Sequence, residues 1–470
     1  MKNIIKILSK YKIFFLCLFV ISFGGSYLMI SKVDPLAESK KYVETQFGNV
    51  LGMFQDTTLE NIEKTNGFTT VLLMGIDSRE LDFDGYEFSG KDRNVDTIIQ
   101  AIYDYETNNI FLITIPRDTG YEIEEDCANQ GYDKAINRFY KYGQDSNCRE
   151  DGIDFLTKYT EKITGFKNNY YSLISFETYY EIFNVVGEEF KGEKGLWIDI
   201  PENVYEMYPV DDGYEYFELS KGLQFLNSEQ LLRYARSRQN TSDFVRSRRQ
   251  HIILETFKNR LIKLGITSPQ KIKDIYDSFR DTALYSKIDI EEIIAGLTLA
   301  PKAKNAKIYH IYLDDSLGGK NNYIARPAYS PPDGIHNRPG FYLTPIHYDQ
   351  PCCRDDNYYK VKNLIRTIID NPEVYDEEAK VAVYSVNGQF EDIPVWFEYW
   401  LETEHPIYNL IQSNKTFDNV VDEDVYIVDY SEGEKNNTLN YLQNSLEVSV
   451  YRPNQSMSPK SDEDIAIYVR

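Results

Sequence analysis

The chain has 470 residues, more than one typical core requires, so two soluble units are expected. Lys and Arg total 51 against 74 Asp and Glu, a net charge of −23 that repels nucleic acid in bulk. Any anion site must therefore come from a local basic cluster. With five histidines, five cysteines and no CxxC pair, a zinc or iron–sulfur site is not expected.

Lys2, Lys6, Lys10 and Lys12 precede an uncharged apolar run from Ile13 to Ile30, long enough nearly to span a hydrocarbon core as a helix. The basic flank predicts a cytoplasmic N-terminus and an extracytoplasmic body. A cleaved signal peptide is the rival reading. Its apolar core is usually about 7–15 residues, and the segment Ser31-Lys32-Val33-Asp34 lacks a small-x-small cleavage site. Cys17 lies within the run. Cys127 and Cys148 flank a polar stretch that a disulfide would close in an oxidising compartment, whereas the adjacent Cys352 and Cys353 have a spacing that rarely pairs.

Residues 32–65 read as a helical stalk. Three short strands follow, Thr69–Ile76, Thr97–Tyr103 and Asn109–Ile115, the last two joined by the turn Asp104–Asn108. If all three are antiparallel, the end of the first, the start of the second and the end of the third share one sheet edge. Asp77, Asp96 and Arg117 occupy those places, and ligand sites favour such edges. Helical spacing is read over Asp151–Ile163 and Ile174–Val186, a strand over Leu196–Ile200 and mixed character over 211–226. Asn227-Ser228-Glu229-Gln230 opens a helix, and a long one runs from about Asp243 to Leu264, capped by Gly265. Helical elements continue to Leu299, followed by a strand at His310–Tyr312. Residues 325–351, rich in Pro, Gly and Tyr, read as an irregular arm. After Asn371-Pro372 come a strand at Ala379–Val386, a helix at Val395–Leu401, and strands at Asp424–Asp429 and Ile465–Arg470, a small α/β module. The chain is thus predicted to be α/β: a central mixed sheet flanked by helices, a small C-terminal α/β domain and an N-terminal transmembrane helix. The divisions are a tail (1–12), a membrane helix (13–31), a stalk (32–65), a main domain (66–372) and a C-terminal domain (378–470).

The sharpest local signal lies between residues 233 and 249, where six arginines and no lysine fall in an otherwise acidic chain: Arg233, Arg236, Arg238, Arg246, Arg248 and Arg249. A guanidinium fork binds phosphate oxygens bidentately, while lysine acts as a point charge. On the long helix Ile253, Phe257, Leu261 and Leu264 form an apolar stripe that extends back to Gln250 and Arg246. Polar groups therefore occupy the inward side of its first turns and need partners or a solvated pocket. Asp243 can cap that helix, and its amides favour anions. Arg233 and Arg248 read as surface charges or ion pairs. A second signal is Gly75-Ile76-Asp77-Ser78-Arg79, Arg93-Asn94-Val95-Asp96-Thr97 and Ile115-Pro116-Arg117-Asp118. Paired carboxylates at strand ends can hold a hard divalent cation that completes its shell with phosphate oxygens; turn chemistry is the alternative.

Together VLLMGIDSR, RNVDTI, ITIPRD and YARSRQNTSDFVRSRRQ resemble the LytR-CpsA-Psr family of cell-envelope phosphotransferases, over about residues 66 to 300. Residues 379–470 resemble the small LytR-type C-terminal domain of some members. The resemblance implies magnesium on Asp77 and Asp96, pyrophosphate binding by Arg79, Arg117, Arg236, Arg238, Arg246 and Gln250, and Asp243 as the acidic residue beside them. Of these, Asp77, Arg117, Arg236, Arg238 and Arg246 are the expected catalytic set. Arg93 is a further candidate for substrate binding, although it lies three residues before Asp96 where members commonly have two; Lys134 is one place off the common lysine position. The implied reaction moves a glycan phosphate from a polyprenyl pyrophosphate carrier to a peptidoglycan hydroxyl, with the polyprenyl tail expected along the helices around 151–186. The implied partners are that lipid-linked glycan, peptidoglycan and the membrane, without nucleic acid. A non-catalytic binder of lipid pyrophosphate or wall polymer, a transcriptional regulator and a pyrophosphatase acting on the same donor are the rival functions.

Overall fold

The computed structural model describes residues 62–76, 94–121, 135–143, 152–174, 183–184, 186–210, 213–237, 243–263, 285–286, 306–313, 326–329, 341–344, 358–385, 390, 393–403, 405–413, 415, 421–453 and 462–470. The apolar run 13–30, most of the stalk, Asp77, Arg79, Arg93, Lys134, Arg238 and all five cysteines lie outside them. Among the described residues no helix is long and apolar enough to cross a membrane.

Strands β1 (Phe68–Ile76), β2 (Val95–Asp104) and β3 (Ile110–Thr114) form the expected antiparallel meander. The β2–β3 turn is closed by Asp104, whose carboxylate accepts from the Glu106 amide at 2.9 Å and the Thr107 hydroxyl at 2.7 Å. Asn108 takes the left-handed conformation there, φ 60°, which asparagine tolerates. A 3-10 turn at Ile136–Arg138 leads into α1 (Phe139–Gly143), and α2 (Gly152–Thr164) follows. The next element departs from expectation. Ile174 ends β4 (Tyr170–Ile174), a strand parallel to β1, while residues 183–184 and 186 are helical as expected and 175–182 lie outside the described residues. Five residues are too few to distinguish a strand from a helical turn by periodicity.

The stretch around the long arginine segment is more β-rich than its composition suggested. Strands β5 (Glu188–Phe190), β6 (Glu193–Ile200), β7 (Val204–Val210), β8 (Gly213–Leu219) and β9 (Gly222–Asn227) follow one another. The fifth, sixth and ninth make a small antiparallel sheet, and β7–β8 is a hairpin. Asn227 then starts α3 (Ser228–Arg236) through a reciprocal cap: its side chain accepts from the Gln230 amide at 2.8 Å, and the Gln230 side chain accepts from the Asn227 amide at 3.1 Å. Helix α4 (Asp243–Lys263) carries the rest of the arginine segment.

Two short strands complete the main sheet. β10 (Tyr285–Ser286) pairs with β4, and β11 (Ile308–Tyr312) runs parallel to β3, giving the order β10-β4-β1-β2-β3-β11. The sheet is mixed and flanked by helices. One face buries Leu72, Met74, Ile98, Phe111 and Ile113 against Leu156 and Ile163 of α2. The arm contains a hairpin, β12 (Arg326–Tyr329) and β13 (Phe341–Thr344), rather than wholly irregular chain. Beyond it α5 (Tyr359–Asp370) returns to the same core, sealing it with Val361, Leu364, Ile365 and Ile368, each at most 1 % exposed. Each such side chain contributes roughly 1.5–3 kcal/mol by leaving water.

Helix α6 (Pro372–Asp376) leads to a second sheet with its own core. Strands β14 (Lys380–Ser385), β15 (Asn409–Ser413), β16 (Val425–Asp429), β17 (Val450–Tyr451) and β18 (Ile465–Val469) take the order β15-β14-β18-β16-β17. Helices α7 (Val395–Glu402) and α8 (Asn436–Leu446) pack on one face through Phe397, Leu401, Leu442 and Leu446. The other face carries stacked tyrosines, Tyr384 on Tyr468 at 5.3 Å and Tyr468 on Tyr426 at 5.2 Å.

Candidate functional site

The site begins with a fault in the β1–β2 ladder. Gly75 pairs with Thr97, but Ile76 pairs with Val95, so Asp96 is the extra residue of a bulge. A bulge residue drops out of the ladder, and its carbonyl and side chain turn elsewhere. Gly75 suits the crossing, because a Cβ there would meet the Thr97 Cβ at 3.2 Å. Ile76, opposite Val95, is the residue before Asp77.

Two arginines meet at Asp96. Arg117 Nη1 donates to Asp96 Oδ1 at 2.9 Å, and its Nε lies 3.6 Å from Asp118 Oδ1. Arg246 Nη2 donates to the main-chain carbonyl of Asp96 at 3.1 Å. The Arg117 and Asp96 side chains retain 21 % and 28 % of their exposure, so the pair opens to solvent, while Arg246 is buried at 4 %. Among the described residues, the Asp96 carboxylate and the Arg117 and Arg246 guanidinium groups thus stand together at one end of the sheet, with Asp118 beside Arg117.

The loop that carries Arg117 is held from three sides. The Asn137 amide donates to the Arg117 carbonyl at 3.0 Å, and the Ile136 amide to the Thr119 carbonyl at 2.8 Å. From the arm, the Leu343 amide donates to the Asp118 carbonyl and its carbonyl accepts from the Gly120 amide, both at 2.7 Å. The Tyr358 hydroxyl donates to the Gly120 carbonyl at 2.5 Å. Hydrogen bonds to a loop's main chain restrict where its side chain can point, which is what an anion clamp needs.

Helix α4 presents a polar face to main-chain carbonyls. Besides Arg246 on Asp96, Arg249 Nη1 donates to the Ser237 carbonyl at 2.9 Å, and Gln250 Nε2 reaches the Ala235 carbonyl at 3.4 Å. Arg236, the last residue of α3, lies between those two held residues and is half-buried. Asp243 is the first residue of α4, and its side chain lies outside the described residues. Further along α4, Ile253 and Phe257 are buried at 3 % and 5 %, as the stripe predicted.

The remaining arginines do other work. Arg233 forms ion pairs with Glu215 at 2.8 Å and Glu229 at 2.6 Å. Its guanidinium pKa is raised chiefly by the hydrogen bond it donates to the Glu215 carboxylate. Arg248 is exposed, donates to the Tyr408 hydroxyl at 2.9 Å and sits over the Tyr312 ring. Arg249, given no role by the sequence reading, is buried at 2 %. A signal for it existed: residues 246, 249, 250, 253 and 257 follow helical spacing along one face. The expectation that helices around 151–186 line an apolar groove meets a different arrangement in α2. Its Ile153, Phe155, Leu156, Tyr159 and Ile163 are all 0–2 % exposed and belong to the core.

Among the described residues no group of three or more His, Cys, Asp and Glu side chains gathers as a metal cage. The chemistry of Asp96 nevertheless suits magnesium. It is a hard oxygen donor at a partly open position, and magnesium usually takes one or two protein carboxylates, with waters and phosphate oxygens for the rest.

The chain is similar to several known proteins. A Bacillus subtilis (strain 168) protein named polyisoprenyl-teichoic acid–peptidoglycan teichoic acid transferase TagV is 26 % identical over 334 residues, covering 68 % of this chain and 75 % of that protein. The TagT transferase of the same organism is 25 % identical over 209 residues, 44 % of this chain and 57 % of its own length. The crystal structure of B. subtilis TagV superposes with a TM-score of 0.44 at 22 % identity, covering 65 % of this chain and 99 % of that one. The model of the LytR_cpsA_psr family matches residues 37–325, more than half of the sequence, and the chain belongs to that family.

Proposed function

We propose that this protein is a magnesium-dependent phosphotransferase that moves a glycan phosphate from a polyprenyl pyrophosphate carrier to a hydroxyl of peptidoglycan. The observation that carries the reading is the convergence of Arg117 and Arg246 on Asp96 at the end of the sheet. The family and the named transferase relatives support it.

In the proposed reaction the acceptor hydroxyl oxygen attacks the sugar-linked phosphorus. A new P–O bond forms, the bond to the bridging oxygen breaks, and polyprenyl phosphate leaves with its electron pair. Charge grows on the phosphate oxygens in the transition state, and pre-positioned guanidinium groups stabilise it without reorganising. Arg117 and Arg246 take that role here, with Arg236 and Arg238 joined to them, and Arg79, Arg93, Asp243 and Gln250 assigned to substrate binding, on the resemblance. Asp96, and on the resemblance Asp77, would hold a magnesium ion, which would neutralise part of the pyrophosphate charge. Asp77 is the candidate to receive the hydroxyl proton.

The lipid donor fits a protein tethered at the membrane. The apolar run 13–30 behind a basic tail is assigned as a single-pass anchor, with the main body outside the cytoplasm. Residues 378–470 are assigned to the LytR-type C-terminal domain.

The test is to incubate the full chain in detergent with magnesium, a lipid-pyrophosphate oligosaccharide and peptidoglycan. A phosphodiester-linked glycan on peptidoglycan is expected. Release of sugar phosphate at the same rate with and without peptidoglycan would sink the transferase reading in favour of hydrolysis.

A further inference from the structure

Arg249 is a buried charge that the proposed chemistry does not use. It stands on the face of α4 that also carries Arg246 and Gln250, and all three side chains donate to main-chain carbonyls. Arg246 holds the bulge at Asp96. Gln250 and Arg249 hold Ala235 and Ser237, the residues on either side of Arg236. Ser237 is fixed a second time, since its hydroxyl donates to Glu206 Oε2 at 2.7 Å and it is itself fully buried. Glu202 accepts from the other arm of Arg249 at 3.3 Å.

The site of this contact matters. The last carbonyls of a helix lack partners within the helix and carry partial negative charge. Ser237 is the C-cap of α3, where the chain leaves the helix at φ −55° and ψ 132°. A neighbouring helix thus caps α3 with a guanidinium and decides where the chain turns. Packing alone does not require arginine at this position, because Ile253 and Phe257 fill the same face one and two turns on with apolar side chains. A buried cation is costly without partners, and here it has a carbonyl and a carboxylate, with Glu206 across Ser237.

We infer that Arg249, acting through Ser237 and Glu206, is a positioning residue that locks Arg236 in register with Arg246 and the Asp96 bulge. The inference rests on the transferase reading of that pocket. It makes α4 a bracket: one face ties the end of α3 to the end of the main sheet, so that guanidinium groups from two helices address one ligand.

The test compares Arg249→Lys, Arg249→Met, the charge-balanced pair Arg249→Met with Glu206→Gln, and Ser237→Ala, all in the full-length protein. Three quantities are read: melting temperature, kcat and KM for glycan transfer, and calorimetric affinity for inorganic pyrophosphate with magnesium. The expected result is a kcat at least tenfold lower in the charge-balanced pair at near-wild-type melting temperature, partial rescue by Arg249→Lys relative to Arg249→Met, and a smaller loss in Ser237→Ala. Pyrophosphate affinity should fall in the same order. The inference is overturned if the folded charge-balanced pair keeps kcat and pyrophosphate affinity within twofold of wild type, or if activity falls only in proportion to the folded fraction. A wild-type protein that binds pyrophosphate but transfers no glycan would refute the transferase reading instead. The affinity series would then still decide the role of Arg249.

Discussion

Arg246 reaches the main-chain carbonyl of Asp96, 3.1 Å away, across a gap of 150 residues in sequence. The bond exists because the bulge at Asp96 frees that carbonyl from the β1–β2 ladder. A helix side chain thereby reads a backbone irregularity, and the Asp96 carboxylate stays available to Arg117 and to a ligand.

Arg246→Ala should therefore lower transfer at least a hundredfold, the scale expected when a donor to a developing phosphate charge is lost. It should also cost about 1–3 kcal/mol of stability, because a part-buried carbonyl loses a charged donor. Turnover and denaturant midpoints measured on the same preparation check both. Normal turnover in a folded variant would remove Arg246 from the site.

Asp96→Asn keeps the shape and removes the charge that pairs with Arg117. Transfer should drop at least a hundredfold, and the residual rate should no longer respond to magnesium over the range that saturates the wild type. A magnesium titration at fixed donor concentration reads this directly. An unshifted midpoint would exclude Asp96 as a ligand.

Arg233→Ala provides the contrast within the arginine segment. The Arg233 side chain is 25 % exposed and engaged with Glu215 and Glu229, themselves 48 % and 58 % exposed. Surface pairs of this kind are worth about 0–1 kcal/mol. The expected outcome is transfer within twofold of wild type and a small change in melting temperature. A hundredfold loss would show that the cluster acts as one unit.

The C-terminal sheet should be acid-sensitive through His405. This residue is 7 % exposed, and burial holds its pKa at about 4, well below the usual imidazole value. Neutral His405 suits its surroundings: Nε2 donates to the Trp400 carbonyl at 2.7 Å, and the Tyr441 hydroxyl can donate to Nδ1 at 3.3 Å. The unfolded chain takes up the proton first, below about pH 6.5, and the folded chain only near pH 4. The stabilising difference is therefore fully present above pH 6.5 and is lost as pH falls from there to 4, by about 3 kcal/mol at most. Tryptophan-monitored denaturation of the full chain across that range should show the loss, and His405→Gln should flatten it.

Much of this arrangement was legible in the sequence. Short apolar runs and a tight turn gave the antiparallel meander, and the meander brought Asp96 and Arg117 to one edge. Helical spacing placed Arg246 on the inward side of α4. The missing parts have physical causes. Strand β4 is a five-residue piece whose partner, β1, lies about a hundred residues earlier, so its pairing leaves no local trace. The β7–β8 hairpin has no continuous apolar run. The bulge is a property of register between two strands, and neither strand alone reveals it. Arg249 pairs a charge, which favours a surface, with a spacing along α4 that points inward. The apolar residues of α2 could be counted from the sequence, but their use as core rather than groove depended on α5 arriving from residue 359 onward.

That late return of α5 sets a boundary for anyone trimming the gene. Residues 37–325 match the family, yet Tyr358, Val361, Leu364, Ile365 and Ile368 close the interior of the principal sheet from well beyond that limit. A fragment ending at residue 325 would leave the hydrophobic underside of the sheet wet and forfeit the Tyr358 tether on the Arg117 loop. It should come out of expression insoluble or inactive, whereas one stopped after Asp376 retains the lid. Solubility and pyrophosphate binding of the two truncations, side by side, show where the functional unit ends.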